Sequence, residues 1–581
     1  MPSEYEIARA RNIARNRALL EELDLKNAIP VKPDKSTAKP VQPRKPRERA
    51  APDGPRRQSA RLKSSVIDPN ESPAKRKRRE AEWEERRAKE EEERLEAEEK
   101  ARAVKRARHG DLGLATLVQE GEVTKLPKLA ELFESIPSLA RQAPKDEDAY
   151  RSEDEEEDKM VAGLREQLAD LQVVARGKLA DLQVVARGKV TKNRVYSAVY
   201  HPEVTKDLIF FGDKYGSLGI WDARAPQDEV EDEDGDVSAT GNLSEGKYWQ
   251  LQLHWPATSK SSISCVKLDP TDSHKIYTSA YDCTIRQMSL PSGVSTEVFA
   301  TDEVLICSID LTPTGNEMWI SDAHGGVWHR DLREPKADGT RYALSDAKIG
   351  CVSVNPTRPN FLVTASNNRS LKIWDVRKLQ NVLHDDAPPT PPPSSPGGPF
   401  LTPISRVNGE ADAETVAEYV KSKRGQGTLR AEWTHDKSVS SAYWDPRGRH
   451  VVSTSYDDAV RLWDISPNLM ESGNKFPTSR PFSRIQHNCQ TGKWLTILRA
   501  QWSPNPDAYP HFTIGNMDHS LDIFSCKGEL VAKLKDKTKI SAVQAVTCSH
   551  PNIVERAVSG NGSGRCVLWA PREDDEDEEE E

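Results

Sequence analysis

The residues best suited to chemistry in this chain are basic side chains at one recurring position of a repeated unit. The unit occurs seven times in the last two-thirds of the chain, and a cation precedes its first predicted strand in six copies: Arg194, Lys260, Lys348, Lys437, Lys493 and Lys539. If the units close into a ring, these positions share one rim and attract phosphates with release of counterions. The alternative interpretation is ordinary surface charge, because the chain has 83 lysines and arginines.

A second group of polar and apolar residues lies between the fifth and sixth units, in residues 480–502. Its candidate DNA contacts are Arg484, Ile485, Gln486, His487, Lys493 and Trp494. Cations of this group suit phosphates, the amide and imidazole suit base edges, and the apolar side chains suit wedging or stacking. A loop of this type favours damaged duplex, where the lesion has already lowered the cost of unstacking. A plain polar loop is the alternative.

A third motif, Trp-Asp-x-Arg, ends two of the repeated strands at Arg224 and Arg377, and the Asp-Leu-Arg at 331–333 aligns with it. We expect these arginines on the opposite rim, where they could pair with a protein partner. A structural salt bridge is the alternative. We find no P-loop, nucleophile elbow or HExxH motif, and we expect no enzymatic activity and no cofactor.

The repeated unit predicts the fold. It is a short alternating strand that ends in Trp-Asp in its clearest copies, and equivalent positions fall at 221, 288, 330, 374, 463, 524 and 569. Three of the spacings are close to the 40–45 residues of a four-stranded propeller blade. We predict an all-β, seven-bladed β-propeller over 190–572, with residues around 185–195 as the outer strand of the last blade.

Each predicted first strand ends in a turn with proline, because proline blocks further strand pairing. These prolines are Pro202, Pro270, Pro313, Pro356, Pro446, Pro504 and Pro551. Insertions at 225–247, 384–430 and 466–493 interrupt the period. The one at 384–430 begins with a proline-rich run and is predicted to be a loop or tail.

The N-terminal third is rich in charge and predicts a largely disordered, partly helical arm. We divide it into an amphipathic helix (1–27), a disordered basic segment (28–79), a charged helix and acidic linker (80–167) and a duplicated linker (168–189), in which LADLQVVARGK occurs twice. The basic cluster Lys75, Arg76, Lys77, Arg78 and Arg79 is typical of a nuclear import signal. A solvated charge run is the alternative for this cluster.

Charge and cysteine content indicate the compartment. The formal net charge is −9, and the nine acids of the tail at 573–581 account for all of it. None of the eight cysteines forms a CxxC pair or a zinc spacing, so we expect apolar fillers and no metal site. No apolar run reaches membrane length and no signal peptide is evident, which predicts a soluble intracellular protein.

Several of these segments together resemble the fungal changed-mutation-rate family of WD-repeat, DNA damage-binding proteins. The similarity lies in NIARNRALLEELDL (12–25), SPAKRKRR (72–79), FGDKYGSLGIWDAR (211–224), STSYDDAVRLWD (453–464) and RIQHNCQTGKWLT (484–496). The family is related to the WD-repeat subunit of the UV-damaged-DNA-binding complex, where a Phe-Gln-His hairpin enters the minor groove at a lesion. The matching triplet here is Ile485-Gln486-His487, which keeps an apolar wedge and loses ring stacking.

The resemblance implies a nuclear, non-catalytic protein that binds duplex DNA and prefers UV-damaged DNA, acting in DNA metabolism or the damage response. Relatives with Trp-Asp-x-Arg also serve as receptors of cullin-4 ubiquitin ligases, and Arg224 and Arg377 match that motif. The rival interpretation is a protein scaffold, either such a receptor or a chromatin-complex subunit that binds histones. We expect a monomeric propeller, with single-stranded DNA as a further ligand and no membrane association.

Overall fold

The computed structural model describes part of one compact unit of the chain. The chain divides into two such units, 1–88 and 89–581. The described residues, all in the second unit, are 109–118, 125–143, 179, 182–226, 245–334, 339–384, 409–466, 470–471, 475–476, 479–492 and 495–571. The predicted helix 1–27, the basic segment with its import cluster and the acidic tail lie outside them.

Seven sheets form the second unit, which confirms the seven-bladed propeller. The strands of the first four blades, from inside to outside, are Val195–Tyr200, Leu208–Asp213, Ser217–Asp222 and Lys247–Gln252 for blade 1; Ile263–Leu268, Lys275–Ala280, Thr284–Ser289 and Val294–Ala300 for blade 2; Ile306–Leu311, Glu317–Asp322, Gly326–Asp331 and Thr340–Ala343 for blade 3; and Ile349–Val354, Phe361–Ser366, Ser370–Asp375 and Leu429–Thr434 for blade 4.

The remaining blades follow the same antiparallel order. Their strands are Val439–Trp444, His450–Ser455, Ala459–Asp464 and Ser483–Gln486 for blade 5; Gln501–Trp502, His511–Gly515, Leu521–Ser525 and Leu530–Leu534 for blade 6; and Gln544–Ser549, Ala557–Asn561, Cys566–Ala570 and Gln183–Gly188 for blade 7. Innermost strands of neighbouring blades contact each other around the whole ring. Since a closed ring leaves no long sheet edge, each blade is protected from edge-to-edge pairing.

The repeated Trp-Asp strand is the third strand of its blade, and its tryptophan is structural. The indole N–H of Trp374 donates to Thr364 Oγ1 at 3.1 Å, and that of Trp569 donates to Ser559 Oγ at 3.0 Å. In both cases the hydroxyl belongs to the second strand of the same blade. Each sheet lies between two others, so strands such as Leu208–Asp213 are buried along their whole length.

The ring closes with a strand from before the propeller, as the sequence predicted. Gln183–Gly188 pairs antiparallel with the last strand of the array, from Gln183 opposite Ala570 to Gly188 opposite Cys566. This closing strand starts two residues before the predicted region, and it belongs to the second copy of the duplicated segment. Val184 and Ala186 are buried, so the strand contributes core contacts as well as hydrogen bonds.

Two segments outside the predicted blades extend them. Leu112–Gly113 adds a fifth strand to blade 2, and Glu410–Ala411 adds a parallel fifth strand to blade 3. Four α-helices are described: Leu114–Leu117, Leu126–Ser135, Val376–Leu379 and Ala413–Lys421; the 3₁₀ helices are Ser259–Ser261 and Gln380–His384. Thus the insertion 384–430, predicted as a loop or tail, contains a strand and a helix after its proline-rich part.

The helix Leu126–Ser135 packs on the propeller through one apolar face. Leu129, Leu132 and Phe133 are buried and belong to the same core cluster as Leu208 and Trp249 of blade 1. Their i, i+3, i+4 spacing places them on one side of the helix. Residues 125–143 therefore belong to the propeller rather than to a solvated linker.

We expect stability to depend on pH through His435, which is buried and bonds Ser453 Oγ through Nε2 at 3.0 Å. Burial, and then the charge of Arg461, lower the pKa of His435 from 6.5 to about 4. The unfolded chain therefore binds this proton first. The stabilisation is complete above pH 6.5 and is lost as the pH falls towards 4, by about 3 kcal/mol. Urea unfolding measures the free energy of unfolding at the two pH values. We expect this free energy to fall less in His435→Gln than in the original chain, and an equal fall would show that His435 is not the group responsible.

Candidate nucleic-acid interface

The direction of the strands defines two faces of the propeller. Every innermost strand begins at the face that we call the top, which also carries the turns between second and third strands. Hydrogen bonds join these segments there: Lys214 N–H donates to Arg194 O at 2.9 Å, and Asn367 N–H donates to Lys348 O at 2.8 Å. The proline-containing turns lie at the opposite, bottom face. Residues that precede an innermost strand are therefore top-face residues.

The top face carries a continuous group of cations over blades 7, 1 and 2. These residues, which we call the basic arc, are Lys189, Lys192, Arg194, Lys214 and Lys260. Lys189 follows the closing strand, and Lys260 precedes the first strand of blade 2. Neither connecting segment, 189–194 or 254–262, contains an acidic residue. The arc is therefore a local concentration of positive charge, suited to a phosphate backbone.

Local structure presents the cations of the arc together with aromatic rings. The Lys214 ammonium lies 5.4 Å from the centroid of the Tyr215 ring, and Tyr215 is 36% exposed. The guanidinium carbon of Arg194 lies 6.0 Å from the Tyr196 ring. Exposed Lys260 sits in a short 3₁₀ helix that Thr258 caps. Cations beside an exposed ring are the combination that unstacked bases and their phosphates require.

The carboxylate next to Lys214 in the chain is occupied by its own turn. Asp213 is buried and accepts hydrogen bonds from the backbone N–H groups of Tyr215 and Ser217, both at 2.8 Å. Burial raises the pKa of Asp213. Asp213 therefore shapes the turn that presents Lys214 and Tyr215.

The predicted cations Lys348, Lys437 and Lys539 also lie on the top face but stand among acids. The Lys348 ammonium is held 3.1 Å from the Tyr281 hydroxyl, and exposed Lys437 follows exposed Asp436. Lys539 contacts Asp536 at 3.7 Å. Further acidic residues on this side of the ring are Asp302, Glu303, Asp346 and Asp518. The predicted ring of cations is therefore an arc over blades 1 and 2 and the segment that leads into blade 1 from the closing strand, with mixed charge over the rest.

Acid and base on the mixed side neutralise each other directly. Lys533 and Lys535 contact Asp518 at 2.9 and 3.2 Å. Burial opposes ionisation of this carboxyl, but hydrogen bonds from Ser520 and the two lysines lower the pKa of Asp518. Lys535 is thus committed to an ion pair, which makes blade 6 a weaker phosphate site than blade 1.

The triplet expected in a hairpin loop instead belongs to a strand and its immediate end. Ser483–Gln486 is the outer strand of blade 5, with Gln486 opposite Ala459 at the top edge. Alternation along this strand exposes Arg484 and Gln486 and turns Ile485 inwards. Ile485 is half-buried against the blade 5–6 core, so it is not available as the predicted wedge. Lys493 and Trp494 lie outside the described residues.

His487, predicted to meet a base edge, is a core residue. Its side chain is 4% exposed, packs edge-on to Phe524, and has Nε2 3.6 Å from Asp522 Oδ2. Its Nδ1 lies 3.5 Å from Cys489 Sγ. These neighbours hold the ring between blades 5 and 6, so the expectation that His487 contacts DNA is corrected.

The connection between blades 5 and 6 nevertheless reaches the basic arc. Asn488 is exposed on it, and the hydroxyl of Thr496 donates to Val195 O at 2.6 Å. Val195 begins the innermost strand of blade 1, next to Arg194. The segment therefore contacts blade 1 at Thr496, beside Arg194.

The Trp-Asp-x-Arg arginines lie on the bottom face, in ion pairs. Arg224 Nε is 2.6 Å from Asp207 Oδ2 in the neighbouring turn. Arg377 forms a two-pronged contact with Asp375, with Nε–Oδ1 at 3.0 Å and Nη2–Oδ2 at 2.7 Å, and its side chain remains 59% exposed. The hydrogen bond to Asp375 raises the pKa of Arg377. Arg333 makes the same contact with Asp331 in blade 3.

Sequence reasoning missed Lys189, Lys192, Lys214 and Tyr215. The short segment GKVTKNR at 188–194 was the available signal, since it holds three cations in seven residues. Among the described residues, no group of three or more His, Cys, Asp or Glu side chains could hold a metal ion. No described helix is long and apolar enough to cross a membrane. None of the eight cysteines forms a disulfide.

Comparison with known proteins identifies both the repeat and full-length relatives. The family model for the WD domain, G-beta repeat, matches residues 341–375 and 427–464. A relative from Cryptococcus neoformans, named DNA damage-binding protein CMR1, is 37% identical over 97% of this chain and 98% of its own length. Proteins of that name from Mycosarcoma maydis and Neurospora crassa are each 30% identical; both alignments span 98% of this chain, with 99% and 98% of the relatives covered.

Proposed function

Since this chain belongs to the fungal CMR1 family of DNA damage-binding proteins, we propose that it is a non-catalytic nuclear protein that binds DNA with its top face. The basic arc is the observation that carries this proposal. It concentrates five cations on one side of the ring without an acidic residue in the two connecting segments. The import cluster at 75–79 supports the nuclear assignment.

The polar edge beside the arc supports a preference for UV-damaged duplex. Exposed Gln486 and Asn488 offer amide groups at the top edge of blade 5, and exposed Tyr215 offers a ring within the arc. Amides pair with base edges, and a tyrosine ring stacks on a base that has left the helix. A lesion lowers the free energy needed to unstack such a base. The same contacts therefore give a higher affinity on damaged DNA than on intact DNA.

The salt dependence of binding tests this function in the full chain. We expect the logarithm of the association constant for a UV-irradiated duplex to fall linearly with the logarithm of salt concentration. If all five cations of the arc meet phosphates, the slope is about −4.5, which corresponds to a loss of about 500-fold between 50 and 200 mM salt. An intact duplex of the same sequence should show a similar slope at lower affinity. Binding that does not respond to salt would contradict the proposal.

A pair of alanine variants separates base contact from core packing at the end of blade 5. Gln486→Ala should leave thermal unfolding unchanged and reduce the preference for the irradiated duplex, because the amide is exposed. His487→Ala should lower the free energy of unfolding by about 1–3 kcal/mol, because it removes a buried ring and leaves Asp522 without that neighbour. Urea unfolding and binding titrations measure both. If His487→Ala were as stable as the original chain but lost the preference for the irradiated duplex, His487 would be a base contact rather than a core residue.

A second candidate function, recruitment of a protein such as a cullin-4 ligase adaptor, is favoured by the bottom face. Arg333 and Arg377 are each 59% exposed while their carboxylates hold them in place, in neighbouring blades. Prepositioned guanidinium groups lose little entropy on binding an acidic partner. Capture of a cullin-4 adaptor by the full chain, lost in Arg333→Glu/Arg377→Glu and kept in Lys260→Glu, is the expected result; equal capture by both variants would refute it.

A further inference from the structure

The innermost strands enclose a channel along the axis of the propeller, with a cavity of about 250 Å³. Its wall includes residues of, or next to, the innermost strand of every blade, and Leu139 and Arg141 line its bottom end. The segment that bears them is fixed there, because Leu139 N–H donates to Ser273 Oγ and Arg141 N–H to Pro270 O. Arg141 is exposed at this mouth, so the cavity communicates with solvent.

One arginine stands at a position where the other innermost strands carry smaller residues. Counting five residues back from the proline that ends each innermost strand gives Ser197, Cys265, Ser308, Cys351, Ser441, Arg499 and Val546. Ser197, Cys265 and Val546 line the cavity together with Arg499. The charge of Arg499 interacts with Tyr443, Cys351, Tyr281 and Cys265, and also with Cys307 and with the second cation Lys348.

The acids of the channel are already satisfied by other groups. Asp310 Oδ1 is 3.0 Å from Lys267 Nζ, and Asp310 Oδ2 accepts Val354 N–H at 2.8 Å. Asp269 accepts two hydrogen bonds from Thr271 within its own turn. Neither carboxylate contacts Arg499, for which no hydrogen bond or ion pair occurs among the described residues. Arg499 is half-buried in the wall, and a partly desolvated cation without a counter-charge is costly, which an anion would relieve.

Two hydroxyls of the wall have protons to donate. Ser197 Oγ accepts Val266 N–H at 3.0 Å, and Ser353 Oγ accepts Trp444 N–H at 3.3 Å. Since both oxygens act as acceptors in these contacts, their O–H groups remain donors. A cation and hydroxyl donors in one cavity match an oxyanion, and a guanidinium binds two of its oxygens at once.

We propose that the central channel binds a compact oxyanion of the phosphate class through Arg499, with the Ser197 and Ser353 hydroxyls as further donors. The volume is below the 300–1,000 Å³ usual for drug-sized ligands, which favours orthophosphate or pyrophosphate over a nucleotide. This site is separate from the basic arc. The proposal for this site does not depend on whether the protein binds DNA.

Calorimetric titration of the full chain with orthophosphate and with pyrophosphate in chloride buffer tests the proposal. We expect saturable binding of at least one of them, and the tighter of the two identifies the size of the occupant. Arg499→Gln should weaken it on the order of 10-fold to 100-fold, the effect of losing charge-assisted hydrogen bonds. The control Arg424→Gln, an exposed arginine of the insertion in blade 4, should bind like the original chain.

Three results would overturn the proposal: no binding of either anion at millimolar concentration, unchanged binding by Arg499→Gln, or competition between pyrophosphate and duplex that Arg499→Gln abolishes. The last would assign the site to DNA phosphates. If Arg499→Gln does not fold, Arg499→Lys replaces it, because lysine keeps the charge and loses the two-pronged geometry. That variant should bind pyrophosphate more weakly than the original chain, and equal binding would refute the guanidinium's role.

Discussion

Deleting both copies of the duplicated segment, residues 168–189, should abolish cooperative folding of the propeller, whereas deleting one copy should not. The closing strand lies in the second copy, and Leu179, Leu182, Val184 and Ala186 of that copy are buried. Burial of the three larger side chains contributes about 5–9 kcal/mol. That is comparable to the whole free energy of unfolding of a domain.

The one-copy variant, which lacks residues 168–178, is the matched control. The remaining LADLQVVARGK is identical in sequence, so it can pair with Cys566–Ala570 in the same register. We expect its urea midpoint to equal that of the full chain, while the chain without either copy loses its transition as followed by circular dichroism. A normal transition without either copy would show that the ring closes by other means.

Reversing three exposed charges of the basic arc should nearly eliminate DNA binding at physiological salt. The variant Lys189→Glu/Lys192→Glu/Lys260→Glu removes three phosphate contacts and adds repulsion, and all three side chains are exposed, so the fold is retained. We expect the salt slope to fall in magnitude by about 2.7 and the affinity to drop on the order of 10³-fold. Fluorescence anisotropy with an irradiated duplex at several salt concentrations measures both.

A control with the same change in net charge tests whether position matters. Lys421, Lys423 and Arg424 are exposed in the insertion of blade 4, away from the top face. Their reversal to glutamate changes the net charge equally and should reduce affinity only slightly, through long-range electrostatics. Similar losses in the two triple variants would mean that net charge, rather than the arc, determines binding.

Much of the architecture was predictable because the repeat is local. A proline closely follows the innermost strand in all seven blades, and the third strand ends in Trp-Asp in blades 1, 4 and 5. Both signals are visible in sequence. The closing strand was predictable for a different reason, since a ring of blades needs a partner for Cys566–Ala570. Its bounds shifted because the duplicated segment, rather than the residues after it, pairs there.

The site was less predictable because it depends on register and on neighbours distant in sequence. His487 has the right chemistry for a base edge, but its position at the end of a strand turns it towards Phe524 and Asp522 of blade 6. The sequence shows a cation before the first strand in most repeats. It does not show that the turns within the blades place acidic residues on the same face. Only the folded ring brings the segment 189–194, which follows the last strand of blade 7, to blade 1, where Arg194 O accepts the N–H of Lys214.

The packing of the helix Leu126–Ser135 on the propeller could not be predicted, because charged segments flank this apolar helix in the sequence. Leu129, Leu132 and Phe133 occupy one side of a ten-residue helix, a pattern too short to stand out from a chain with 30% charged residues. Its partner surface exists only once blades 1 and 2 have formed. Such tertiary contacts stabilise a short helix that would be marginal alone.

Photo-crosslinking of the full chain to a duplex with one UV lesion tests the central claim most directly. A photoreactive group beside the lesion should yield crosslinked peptides from the top face, with the arc segments 189–194, 213–216 and 254–262 foremost and Gln486–Asn488 at the lesion itself. Mass spectrometry identifies these peptides. Crosslinks confined to the bottom face, at the turns that carry Arg224 and Arg377, would contradict the assignment of the DNA interface.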